Sequence, residues 1–186
     1  MIKIFKLPIL YIWLVRLAFY IKGKQKDIEL IDNDRTNTLY TSKRSKMRYI
    51  YISNWIADIA NKLIKDYLYK QTSIRFDNKI NEVCLPINLY CENDCIELHR
   101  DRDMFTSKPI KYVAVITVKQ KGKEGLFTLH EHVSASNMGK NITVLSAAYK
   151  SISTKPGQVI VFDNSYTAHD FYCFPDFRMS LTYRTI

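Results

Sequence analysis

Residues 83–101, V-C-L-P-I-N-L-Y-C-E-N-D-C-I-E-L-H-R-D, stand where the chain changes its hydrophobic period. Before them apolar residues recur at spacings of three and four; from here on they come in short runs rich in β-branched and aromatic side chains. Runs of the same kind follow at 110–119 (IKYVAVITVK), 125–133 (GLFTLHEHV), 142–154 (ITVLSAAYKSIST), 157–163 (GQVIVFD) and 178–186 (RMSLTYRTI). Strands in series with few helices between them predict a barrel or sandwich, and helices confined to the N-terminal third are expected to pack on one face of it. A length of 186 residues suits a single domain, 1–80 as helical support and 81–186 as the barrel.

The N-terminal third carries two helical signals. Residues 7–21 (LPILYIWLVRLAFYI) are apolar on every face except at Arg16, yet fall short of the roughly 20 residues that span a bilayer. Three readings stay open for them: a helix packed on the core, an interfacial membrane helix, or a targeting segment. Residues 22–48 are charged and aperiodic and read as a surface segment with basic loops. Ile52, Trp55, Ile56, Ile59, Leu63, Ile64, Tyr67 and Leu68 then recur at helical spacing, with Ser53 or Asn54 as the cap.

Composition narrows the function classes. A hydrophobic content of 47% argues against a disordered chain, and 28 Lys+Arg against 18 Asp+Glu give a net charge of +10. That excess favours polyanionic partners, although a lysine- and isoleucine-rich composition also follows from an AT-rich genome. Cys84, Cys91, Cys95 and Cys173 are too few for a disulfide-stapled fold, and Cys91 with Cys95 lacks a second ligand pair for zinc. Reduced thiols in an intracellular setting, cytoplasmic or nuclear, are the expectation.

Histidines and carboxylates supply the metal candidates. His99 and Asp101 stand two apart, so an extended strand sends both side chains to one face. His169 follows the run 157–163 through a short connection, where a loop would return it to a barrel mouth. Two histidines and one carboxylate with three open positions form the facial triad of non-haem iron oxygenases. His130 and His132 are a competing pair of the same spacing, while Asp163 and Asp170 flank His169 and also suit the backbone needs of a turn. In the last run Arg178, Ser180, Thr182 and Arg184 alternate with Met179, Leu181 and Tyr183. The polar row faces solvent, or it lines a lumen where an arginine fork holds a carboxylate.

The stretch N-L-Y-C-E-N-D-C-I-E-L-H-R-D-R-D resembles the core motif of AlkB-type dioxygenases: Asn, one residue, Tyr, eight residues, then His-x-Asp-x-Asp. R-M-S-L-T-Y-R is similar to that family's closing motif, with Ser180 where the family usually has Asn. The resemblance implies a double-stranded β-helix of the jelly-roll or cupin type in an α+β, mainly β chain. It also implies dependence on Fe(II) and 2-oxoglutarate, with ascorbate as an auxiliary reductant. By the same resemblance His99, Asp101 and His169 bind iron and Arg178 pairs with the distal carboxylate of 2-oxoglutarate. Asn88, Tyr90 and Ser180 belong to the cosubstrate pocket, Arg184 supports that pocket or the Asp103 region, and Asp103 and Arg100 lie toward the substrate.

The chemistry so implied is hydroxylation or oxidative demethylation, with a nucleic-acid base as the expected substrate. The alternative is an amino acid, a protein side chain or a lipid-like molecule. Nucleic acid is the expected partner class, no obligate protein partner is implied, and residues 7–21 are the candidate for contact with a membrane face.

Overall fold

A computed structural model describes the backbone of residues 1–21, 24–30, 47–76, 84–91, 95–99, 110–138, 141–165, 167–172 and 176–185, with the side chains of 24–30, 47–49, 96–99, 131–138 and 141–149 outside the description. In chain order the elements are β1 (Ile2–Lys6), α1 (Ile9–Tyr20), β2 (Lys24–Leu30), β3 (Met47–Ser53), α2 (Trp55–Thr72), β4 (Leu85–Cys91), β5 (Cys95–His99), β6 (Tyr112–Lys121), β7 (Gly125–Met138), β8 (Asn141–Thr154), β9 (Gln158–Asp163), β10 (Ala168–Tyr172) and β11 (Phe177–Arg184). They form a seven-stranded sheet in the order β1-β9-β6-β11-β4-β3-β2 and a four-stranded sheet in the order β5-β10-β7-β8. Neighbouring strands pair antiparallel throughout.

β6 and β9, inside the large sheet, are buried on both faces, which is why their sequences run largely apolar. In β6, Ala114, Ile116 and Val118 face a core shared with the helices, while Val113 and Val115 face a second core between the sheets. In β9, Val159 and Val161 go to the helix side and Ile160 and Phe162 to the sheet side. A β-bulge opposite Met179 and Ser180 shifts the β6–β11 register. It leaves both Val118 and Lys119 on the helix side, with Lys119 Nζ donating to Tyr20 Oη.

Both helices lie on the helix-side core. Asn54 caps α2: its Oδ1 accepts from Ala57 N at 2.9 Å, and its Nδ2 donates to Ala18 O at 3.0 Å, joining the start of α2 to the end of α1. The inner face of α2 is Ile56, Ala57, Ala60, Asn61, Ile64 and Leu68, so the spacing argument holds but its members change. Small Ala57 and Ala60 allow close approach, and Trp55 and Ile59, expected in the core, are exposed. α1 buries Ile12, Val15 and Ala18, and Arg16 turns its Nη2 to Val118 O. Among the described residues no helix is long and apolar enough to cross a membrane.

Two N-terminal expectations change. Residues 24–30 are the edge strand β2, paired along its length with β3, rather than part of a loop-rich surface segment. β3 in turn pairs with β4, so the first eighty residues supply strands to the sheet as well as helices. Lys155-Pro156-Gly157-Gln158 joins β8 to β9 with Gly157 at φ 82° and Gln158 N donating to Lys155 O. That is the proline-then-glycine order of a type II turn, where positive φ favours glycine.

Burial controls two ionisable groups under the large sheet. It pushes the Cys84 thiol up to about 11 and the Tyr183 hydroxyl well above its usual range; Tyr183 Oη donates to Asn61 Oδ1 at 2.9 Å. Both groups are neutral in the fold, so their stabilisation is complete below pH 9, the ordinary thiol value, and is lost as the unfolded chain ionises at higher pH. Denaturation midpoints are therefore expected to fall progressively between about pH 9 and pH 11, with Cys84→Ala removing the earlier part of the fall. Alkylation at pH 8 followed by mass spectrometry should modify exposed Cys91 well before Cys84.

Candidate active site between the two sheets

His169 lies on strand β10, not on a loop: 168–172 alternate, with His169 and Phe171 turned inward. His169 is 5% exposed. It stacks on Phe127 of β7 at 5.3 Å and meets the edge of Phe162 of β9 at 4.9 Å, so it sits between the layers. In the β5–β10 ladder the Cα of His169 is directly opposite that of His99. Directly opposed antiparallel positions share a face, with Cα atoms about 4.5–5.5 Å apart. Arg100, Asp101 and Asp103 lie outside the described residues, as does the side chain of His99.

β11 turns its polar row into the same space. Arg178 is 1% exposed, Ser180 and Thr182 are buried and Arg184 is half-buried, while Met179, Leu181 and Tyr183 join the helix-side core. The solvent-facing reading of that row is thus excluded. Arg178 carries its guanidinium carbon 4.0 Å above the Phe171 ring centroid and 5.4 Å from that of Tyr90, and Nη2 donates to Thr117 Oγ1 at 3.1 Å. Tyr90 is opposite Arg178 and Asn88 opposite Ser180 in the β4–β11 register. Asn88 Nδ2 donates to Thr182 Oγ1 at 2.8 Å. Asn88 Oδ1 and Ser180 Oγ are buried without a hydrogen-bond partner. Arg184 stands six positions beyond Arg178, about 20 Å by strand rise, and so serves a different part of the strand.

The competing carboxylates and His130 are engaged elsewhere. Asp170 faces away from His169, and its Oδ2 is 2.8 Å from His130 Nε2 across β7 and β10. His130 is therefore on the outer face of the small sheet, which separates it from the inward cluster; the His132 side chain is outside the description. Asp163 Oδ1 accepts from Ser165 N, the turn role anticipated for it. Three contributors were not foreseen. Thr117 is the polar member of the run VAVITVK, which is a readable signal; Phe171 and Gly125 gave none. Gly125 matters by its missing side chain, since a Cβ there would fall 2.7 Å from Phe171 Cζ.

By sequence, no family model and no curated protein matches this chain. By structure it is similar to a 2OG-Fe(II) oxygenase family oxidoreductase from Burkholderia pseudomallei, with a TM-score of 0.52 and 15% identity over 92% of this chain and 77% of that one. It is also similar to a Pseudomonas putida prolyl-4-hydroxylase, with a TM-score of 0.55 and 13% identity over 100% of this chain and 92% of that one. At such identities the likeness establishes the fold: an α+β, mainly β double-stranded β-helix with its helices on one face.

The Asn88–Thr182 bond is a direct test of the inward polar row. Thr182→Val keeps the shape but leaves another buried amide group unsatisfied, and should cost about 1–3 kcal/mol in urea denaturation. Thr182→Ser should restore most of that loss.

Proposed function

We propose that the chain is an Fe(II)- and 2-oxoglutarate-dependent dioxygenase. One observation carries the reading: His169 is inward-facing and opposite His99 in the ladder, and the same interior holds a buried arginine on the facing sheet. The donor set suits the groups it would hold. Neutral imidazoles with a carboxylate are ligands for non-haem iron, and His99, Asp101 and His169 would be those ligands. Arg178 offers a fork to a carboxylate, and Ser180 Oγ, two residues along the same face, offers an unused buried hydroxyl to the same group. Arg178 lies over Phe171, and Phe171 is two residues, about 6.8 Å, along β10 from His169, a span that a five-carbon diacid bridges. Bound there, iron with the keto acid supplies oxidation of an unactivated C–H bond by dioxygen.

The protein's own part is orientation and exclusion of water. Tyr90, Phe127, Phe162 and Phe171 wall the interior, so the arginine acts where competing solvent is scarce. Asn88 is held by Thr182 with its amide oxygen unused, and Thr117 fixes one guanidinium nitrogen. The proposed substrate is a nucleic-acid base, supported by the +10 charge and by the AlkB-like motif that contains Asp103. An amino acid, a protein side chain or a lipid-like molecule is the alternative.

Purified protein with Fe(II), ascorbate and 2-oxoglutarate should release succinate. His169→Ala should abolish both iron retention, read by metal analysis, and succinate release; unchanged release would remove the assignment. Arg178→Lys keeps charge but loses the fork and should raise the KM for 2-oxoglutarate about tenfold or more, with a smaller effect on kcat. A mass-spectrometric screen of methylated oligonucleotides, amino acids and peptides, for loss of a methyl or gain of oxygen, decides the substrate.

A further inference from the structure

α1 presents to solvent the kind of surface that a helix normally hides. Its exposed residues are Ile9, Leu10, Trp13, Leu17 and Tyr20, continued by Ile21 just beyond its end. At about 100° per residue these six occupy one arc of roughly 120°. No charge interrupts it. Arg16, the only charged residue of the helix, is turned to the Val118 carbonyl instead. Trp13 is 61% exposed. The start of α2, tied to Ala18 by Asn54, adds Trp55 at 68% and Ile59 at 45% exposure.

We infer that this arc is a docking surface for an anionic lipid bilayer. The inference is independent of the proposed enzymatic function. Three features select that occupant. The arc is a convex ridge rather than a groove, a shape that a fluid lipid surface accommodates and a rigid partner pocket must match. Its large residues include two tryptophans and a tyrosine, the side chains that settle at the headgroup level. Its rim is cationic: Lys119 stands over the Tyr20 ring and Lys6 is exposed ahead of the helix. Asp58 and Asp66 are exposed along α2, so α1 makes the deeper contact. A second copy of the chain fits less well, because a two-fold interface would set this cationic rim against itself between two chains of charge +10. The arc lies on the far side of the large sheet from His169, so a docked protein keeps the inter-sheet space clear of the bilayer.

The test is flotation of the full chain with vesicles of phosphatidylcholine alone and of phosphatidylcholine with about 30% phosphatidylserine. The protein should float with the anionic vesicles, less with the neutral ones and less at raised salt, and in a Trp55→Phe background Trp13 emission should shift to shorter wavelength on binding. Trp13→Glu combined with Leu17→Glu should weaken partitioning at least about tenfold while the thermal unfolding profile stays that of the parent. Absence of flotation, equal flotation with both vesicle types, or an unaffected double variant would each overturn the inference. So would light scattering that finds a stable dimer which the double variant converts to monomer.

Discussion

A guanidinium stays protonated under any condition in which this fold exists, and Arg178 keeps one almost wholly out of water. Removing an ion from water costs on the order of several kcal/mol, so everything around it must offset that cost. The neighbourhood reads as a set of such responses. Phe171 and Tyr90 present ring faces, Thr117 gives an acceptor in the middle of an otherwise apolar strand, and Gly125 leaves the room in which the Phe171 ring lies. The aromatic walls carry part of the cost of keeping that charge inside the fold.

Alternation along β11 is how the sequence specifies both jobs of the large sheet at once. Met179, Leu181 and Tyr183 join the sheet to the helices, and Arg178, Ser180 and Thr182 face the second sheet. The pattern was visible in the sequence, but its sign was not. A polar row on a strand ordinarily means solvent, and only the presence of a second sheet over that face makes it a lumen. The resemblance to AlkB-type dioxygenases supplied the missing layer.

Other elements were legible to different degrees for physical reasons. β6 and β9 lie inside the large sheet, and their apolar runs are long enough to announce themselves. β2 is an edge strand of alternating charge, K-Q-K-D-I-E-L, and nothing in its composition separates it from a loop; only pairing with β3 makes it a strand. In α2 the helical period was sound, yet size was misleading: Ala57 and Ala60 go inward because they let the helix approach, and Trp55 and Ile59 remain outside. The same error of expecting large residues inside would hide the exposed arc of α1.

β10 was the hardest element to foresee and is among the most constrained. Five residues, A-H-D-F-Y, are too short for a period to be distinguished from a connection. A slip by one residue would turn Asp170 inward and His169 outward, exchanging the imidazole for a carboxylate at the centre of the site. Contacts on both faces oppose that slip. On the outside the Asp170–His130 pair at 2.8 Å ties β10 to β7, and a slip would bury the carboxylate away from its partner. On the inside Phe171 fills the space left by Gly125, a fit that no neighbouring residue reproduces. The irregularity required by unequal strand paths falls instead on the β5 side, between the rungs at His169 and Phe171, leaving the His169–His99 rung intact. His130, a candidate ligand on spacing alone, thus acts from the opposite face of the sheet, by holding the strand that carries His169 in register.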